Sequence, residues 1–331
     1  QEPSYILGGV SKNLGTNAHA GKGRAFIIEA DEYDRMFLGL RPDMIILTMV
    51  EHDHPDCYPT MTDYLEAFAK FVKLLRPGGL LLAGYDDPVA RAFSTQTAPD
   101  CGSFTYGLDP QADYTATGLA PHPRGGYTFT ATYRGKELAQ ITLSVPGKHN
   151  VCNALAVLGA AHQLNLDLGA AAEALGEFTG AGRRFDVLGE AQGVTIINDY
   201  AHHPTEIRAT LAAARSRYPT RRIWAVWQPH TYSRTRTLLD RFMTAFDDAD
   251  EVLVTDIYAA REYDSTFSAA QVTAQLTHPA AHFTPTLADA TEYLLHHLQS
   301  GDVLLVLSAG DADKISQQVL DTLTHREVNH V

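Results

Sequence analysis

Four groups of residues carry types and spacings that could do chemistry, and each directly follows a short apolar run. The first is Glu29-Ala30-Asp31-Glu32-Tyr33-Asp34, with four carboxylates in six residues. Such charges repel one another unless solvent or a cation relieves them, and hard oxygen donors of this kind suit Mg2+ beside a phosphate. A solvated acidic loop is the plainer reading. The second group is Glu51-His52-Asp53-His54-Pro55-Asp56. Its His-x-His-x-Asp spacing is one with which a dinuclear hydrolase holds zinc, although Cys57 stands where that motif continues with histidine. Loop histidines at the surface are the plainer reading there.

The third group runs from Asn198 through Asp199, Tyr200, His202 and His203 to Glu206. Asp199 is placed to accept a hydrogen bond from a sugar hydroxyl, as carboxylates after strands do in nucleotide-binding sheets. Pro204 suits a first helical turn, and the helix start offers free N–H groups to an anion. A plain capped turn explains the proline but not the paired histidines. The fourth group, from Gln228 to Arg236, sets His230, Arg234 and Arg236 around a helix start. Guanidinium forks match carboxylates and phosphates in two-point contact, and a surface salt-bridge patch is the alternative. A phosphate-gripping loop is missing: Gly21-Lys22 and Gly147-Lys148 are not followed by Ser or Thr and lack the required glycine spacing.

Ligands of open parallel sheets sit beyond the carboxyl ends of the strands, so these groups call for strands before them. Apolar runs at 25–28, 44–50 and 80–83, with an amphipathic helix over 63–75, read as parallel α/β. Over 101–145, alternating Tyr, Thr and Phe between the turns Arg124-Gly125-Gly126 and Arg134-Gly135-Lys136 predict a small antiparallel meander. Ala-rich helices follow at 151–164 and 168–178, then a Gly-rich hinge at 179–182. Beyond it, strands at 194–197, 223–227, 252–255 and 303–307 alternate with helices at 204–217, 235–246, 268–276, 287–298 and 311–323. That alternation predicts a Rossmann-like, doubly wound second domain.

The bulk properties agree. A chain of 331 residues with 45% hydrophobic content can bury the cores of about two domains. Its 26 basic against 39 acidic side chains give a formal charge of −13, which argues against nucleic acid or an anionic membrane as the partner. Cys57, Cys101 and Cys152 are odd in number and far apart, so a reducing cytosol is expected rather than a disulfide framework. No run has the apolar length of a membrane span, and no signal-peptide pattern opens the chain. Gln1-Glu2-Pro3-Ser4 leads into strand-like sequence almost at once, which reads as a cut through a larger protein. On these grounds alone the chain is a nucleotide- or metal-dependent α/β protein.

Taken in order, the segments resemble the Mur ligase family. The matching pieces are Gly8-Gly9, Asn13–Asn17, Ile28–Asp34, Glu51–Asp56, Pro146–Asn153, Arg183-Arg184-Phe185, Asp199–Glu206, Gln228–Thr235 and Asp256–Glu262. Two departures are Met49, where the family usually has asparagine, and Ser308 opening a turn that usually starts with glycine. The resemblance is greatest to members that add L-alanine to UDP-N-acetylmuramic acid. It implies a central ATPase domain over 1–184, entered after its phosphate loop, and a C-terminal amino-acid-binding domain over 185–331. It implies Mg2+ on Glu29 and His54, and ATP contacted by His149, Asn150, Asn153, Arg184 and Asp199. Glu29, His54 and Arg184 would be catalytic, and Tyr200, His202, His230 and Arg234 would shape the amino-acid pocket. The implied reaction passes the γ-phosphoryl group to the sugar's lactyl carboxylate, and the alanine amine then displaces phosphate. The competing readings are a ligase that adds a tripeptide to the same sugar nucleotide, a dinuclear metal hydrolase, and a non-catalytic fragment.

Without the phosphate-gripping loop, the 331-residue chain by itself should show no ATP-dependent alanine ligation. Phosphate release that depends on both UDP-N-acetylmuramic acid and L-alanine, measured on this chain, would overturn that expectation.

Overall fold

A computed structural model describes residues 2–328. The chain divides into two compact units: Asn13–Thr179 with the opening residues through Gly8, and Gly180 onward with Gly9–Lys12. The short segment joins the second unit through an antiparallel bridge between Ser11 and Ala181.

The first unit begins with β1 (Ser4–Ile6), β2 (Ala18–His19) and β3 (Phe26–Ile28), a three-stranded sheet in the order β2-β1-β3. A 3-10 helix over Tyr33–Gly39 is kinked at Asp34 and Arg35, whose φ values are 50° and 57°. Then come β4 (Met44–Leu47), α1 (Met61–Val72), β5 (Leu80–Gly84), α2 (Pro88–Phe93) and β6 (Gly102–Tyr106). They are followed by β7 (Tyr114–Pro121), β8 (Tyr127–Tyr133), β9 (Lys136–Thr142), α3 (Lys148–Gln163) and α4 (Leu168–Glu177). The strands β4 to β9 form one sheet in chain order, parallel from β4 to β7 and antiparallel from β7 to β9. The meander is therefore shorter than the 101–145 expected, because β6 pairs in parallel with β5. Alternation alone cannot tell a parallel neighbour from an antiparallel one.

Helix α1 forms because Thr60 and Asp63 cap its start reciprocally. Tyr64, Ala67, Phe68, Phe71 and Val72 fall on one stripe and enter a core with Phe37, Ile45, Leu47 and Leu81. A second core lies under α3, where Val151, Leu155 and Leu158 meet Tyr114, Phe129 and Ile141. Gly159 lets the helix pack closely there, since a Cβ would stand 3.3 Å from the Tyr114 ring.

The second unit contains β10 (Asp186–Ala191), β11 (Val194–Asp199), α5 (Pro204–Arg217), β12 (Ile223–Trp227), α6 (Tyr232–Thr237), α7 (Leu239–Phe242) and β13 (Glu251–Val254). It ends with α8 (Ala269–Thr273), β14 (Ala281–Phe283), α9 (Leu287–His297), β15 (Val303–Leu307) and α10 (Asp313–Val328). Its sheet runs β10-β11-β15-β12-β13-β14, with only β10 antiparallel. The central strands are buried on both faces, which is why they read as unbroken apolar runs. Ile197, Ala225, Trp227 and Leu305 pack on one face against Ile207, Leu211, Phe242 and Phe246. Ile196, Trp224, Val226 and Leu304 pack on the other against Leu294, Ile315 and Val319. This is the doubly wound arrangement expected.

The helix expected over 235–246 is instead two short ones. It starts earlier, capped by Thr231, and breaks at Leu238, whose φ of −105° and ψ of 15° fall outside the helical region. Arg234 thus sits inside the first turn of α6. Strands β10 and β14 escape sequence reading: β10 alternates weakly, and β14 is a three-residue edge.

Candidate active site

The expected residues of the first unit lie at strand and helix ends. Glu29 directly follows β3, is exposed, and its Oε2 accepts the backbone N–H of Gly8 at 2.8 Å. A Cβ on Gly8 would stand 2.6 Å from Oε1 of Glu29, so any larger residue there would displace this carboxylate from its present place. His54 has a left-handed φ of 52°. Its Nε2 lies 3.1 Å from Oε1 of Glu32, and its ring meets Tyr33 edge-on at 5.1 Å. Burial and the Asp56 carboxylate, which accepts from the Tyr33 hydroxyl at 3.0 Å, push that hydroxyl up to about 12, so it stays a neutral donor. Tyr58 is fully buried, and its hydroxyl donates to the Glu32 carbonyl.

These partners speak against the dinuclear hydrolase. Nε2 of His52 bonds the Tyr58 carbonyl at 2.8 Å, His54 turns to Glu32, and Asp56 serves Tyr33. Among the described residues, no group of three or more His, Cys, Asp or Glu side chains is arranged to hold a metal ion. A backbone carbonyl consumes the imidazole that the spacing had offered to zinc. The three cysteines are free, and burial followed by the Asp86 charge pushes the Cys152 thiol up to about 12, which leaves it inert.

At the start of α3, Gly147 takes the cap position with φ 93° and offers no side-chain acceptor. His149 and Asn153 are exposed on the first turns. Asn150 is fixed by a 2.6 Å bond from Nδ2 to the Pro146 carbonyl, and its Oδ1 accepts from Asn153 at 3.3 Å. The amides are thus oriented at the positive end of a sixteen-residue helix.

In the second unit, six expected residues gather near the carboxyl ends of β11 and β12. Asp199 is buried, and its two oxygens accept the backbone N–H groups of Phe185 and Ala201, each at 2.8 Å. Burial pushes its carboxyl up to about 6, against the pull of those two bonds and of Arg184. Arg184 stands between Arg183 and Phe185, both left-handed with φ of 58° and 44°. Such backbone persists only where its surroundings hold it; here Asp199 grips Phe185, and the Arg183 carbonyl accepts from Tyr200 at 2.7 Å. The Arg184 guanidinium lies 5.4 Å from the Tyr200 ring and 3.5 Å from Oε1 of Glu206.

His202 points Nδ1 at the Tyr200 carbonyl at 2.9 Å, which fixes that nitrogen as a donor. Its ring lies 5.8 Å from that of His230, which stacks at 5.6 Å on Tyr258. Nη1 of Arg234 lies 2.9 Å from Nδ1 of His230, so this nitrogen accepts. Arg234 is only 4% exposed, so it backs His230 from within rather than reaching outward.

Four residues that sequence reading placed in motifs but gave no role hold this site. Oε1 of Gln228 accepts from Ser308 at 2.7 Å and from the backbone N–H groups of Asp311 and Ala312, both at 3.1 Å. Gly310 lies so close that a Cβ would stand 2.5 Å from that oxygen and 2.6 Å from the Tyr258 ring. Glu262 accepts from the backbone and hydroxyl of Ser233 at the start of α6. Glu206 left a signal of its role, as the acidic third residue of a proline-started helix. Among the described residues, no helix is long and apolar enough to cross a membrane.

Residues 9–161 match the family description Mur ligase middle domain, and residues 183–310 match Mur ligase, glutamate ligase domain. A protein of Chloroflexus aggregans named UDP-N-acetylmuramate–L-alanine ligase is 43% identical over 340 residues, spanning 96% of this chain and 71% of its own. Among solved structures, the UDP-N-acetylmuramate-alanine ligase of Thermotoga maritima superposes with a TM-score of 0.80 at 28% identity, covering 98% of this chain and 70% of that one. A murein peptide ligase of Psychrobacter arcticus has a TM-score of 0.69 at 23% identity, over 98% of this chain and 72% of its own, and shows the fold alone.

Asp199 gives a pH test of this geometry. Its folded carboxyl is raised from 3.8 to about 6, so its contribution to stability is full below pH 3.8 and is lost as pH rises through about 6. That loss is worth up to about 3 kcal/mol. Asp199→Asn does not titrate, so the stability gap between wild type and variant should narrow by up to this amount from about pH 4 to about pH 7 in denaturant melts. A gap that stays constant across that range would contradict the burial of the charge.

Proposed function

This chain belongs to the Mur ligase family, and we propose that it carries the ATPase and amino-acid-binding parts of an enzyme joining L-alanine to UDP-N-acetylmuramic acid. The observation that carries this reading is the 43% identity to an L-alanine ligase across 96% of the chain. The tripeptide-adding alternative has the weaker support, since the murein peptide ligase structure resembles this chain less well in both sequence and fold. The first unit corresponds to the family's central domain and the second to its C-terminal domain, joined in residues 179–185. The family's dependence on ATP gives the polar ends of both units their use.

On this reading Asn150 and Asn153, with His149, contact the nucleotide at the start of α3. Arg184 faces phosphate, and Asp199 takes a ribose hydroxyl. Each Asp199 oxygen keeps a second lone pair beyond its backbone bond, so that acceptance costs no existing partner. Glu29 and His54 would hold Mg2+. Glu29 brings the hard oxygen donor that Mg2+ takes, and the ion completes its shell with water and substrate phosphates, so no three-residue cage is required. The ion, when bound, neutralises charge developing on the transferred phosphoryl group. The lactyl carboxylate oxygen attacks the γ-phosphorus as ADP leaves. The amine then attacks the acyl carbon, phosphate departs, and the amine loses its proton. His230 receives the alanine carboxylate, and the Arg234 guanidinium shapes the pocket by holding that imidazole from behind.

In the natural gene product, Glu29→Gln should abolish turnover and leave the melting temperature unchanged, since it removes an exposed anionic donor and no packed atoms. Near-normal turnover at saturating Mg2+ would remove Glu29 from the metal.

Arg234→Ala should raise the KM for L-alanine by roughly 10- to 150-fold and that for ATP little, the range expected for losing a charge-assisted pair worth about 1.5–3 kcal/mol. Arg234→Lys should recover only part, because an ammonium cannot reproduce the planar guanidinium that holds Nδ1 and the carbonyl of His230. Equal losses for both substrates would place Arg234 on the phosphates instead.

A further inference from the structure

One carboxylate in the second unit faces two basic side chains that the expected site treats separately. Oε1 of Glu206 faces Nη1 of Arg184 at 3.5 Å. Oε2 faces Nδ1 of His202 at 3.4 Å and accepts the backbone N–H groups of His202 at 3.0 Å and His203 at 3.2 Å. The Tyr200 ring supports the same pair, with the Arg184 guanidinium 5.4 Å from its centroid and the His202 ring edge-on at 5.4 Å. We propose that Glu206 is a positioning residue for the ligation, holding Arg184 and His202 in one fixed relation through a single charge. This rests on the second unit being the amino-acid-binding part of a Mur ligase.

Glu206 is also the third residue of α5, where its bond to the His203 N–H completes a reciprocal cap. A cap alone needs no charge, since glutamine serves equally well at that position. The electrostatics show that the charge is used. Burial pushes the Glu206 carboxyl up, yet His202, Arg184 and the two backbone N–H groups outweigh it and hold it below its ordinary value. The other groups around His202 are the Tyr200 carbonyl and ring before it and His230 at the end of β12, with Arg234 behind His230.

Glu206→Gln separates the two roles. In the 331-residue chain the variant should keep its melting temperature within a few degrees, and the ring resonances of His202 should titrate at lower pH than in wild type by NMR. In the natural gene product, kcat should fall by about 10- to 100-fold, the scale for misplaced groups at a reacting centre, with a smaller change in the KM for L-alanine. Glu206→Asp should recover part of kcat because it restores the charge at a shorter reach. An unmoved His202 titration together with an unmoved kcat would reduce Glu206 to a helix cap and overturn the proposal. A shifted His202 titration in a wild-type protein that ligates no amino acid would keep the pairing and overturn the ligase reading instead.

Discussion

The carboxyl ends of β11, β15 and β12 lie side by side because β15, the last strand of the chain, enters the sheet between two strands that precede it by many residues. Several polar contacts at these strand ends depend on that insertion. The Ser308 N–H donates to the Asp199 carbonyl at 3.0 Å, and the Gln228 N–H donates to the Leu307 carbonyl at 3.1 Å. The loops after β11 and β12 are thus tied to the strand between them, and the Gln228 side chain closes the turn that follows β15. A strand can be inserted this way only if it is apolar on both faces, and Val303–Leu307 is fully buried.

Around this frame two acids are driven in opposite directions. Asp199 finds mainly backbone N–H groups in its burial, and its carboxyl rises. Glu206 is drawn down by an arginine and a histidine that lie within reach of both its oxygens. Both acids accept two backbone N–H groups and feel Arg184; Glu206 has His202 in addition, and with it the pull exceeds the cost of burial. The first unit uses its acids differently. Glu29 stays exposed on a glycine-lined approach, while Glu32 is spent on His54.

The apolar runs of β12 and β15 and the proline-started α5 could be read from the chain to the residue, because a strand buried on both faces and a capped helix leave local patterns. The clustering of chemistry at strand ends was equally local, as was the ordered motif set that marks the family. What lay beyond the sequence was decided by partners distant in the chain. His52 lost its metal-like promise to the Tyr58 carbonyl, and Arg234 was turned inward against His230. Gln228 and Gly310 gained their importance only from a turn about eighty residues later in the chain than Gln228. Residue type and spacing fix which groups can donate, accept or carry charge. Which partner each one meets depends on strand order, and strand order is set by the burial of whole faces rather than by any local signal.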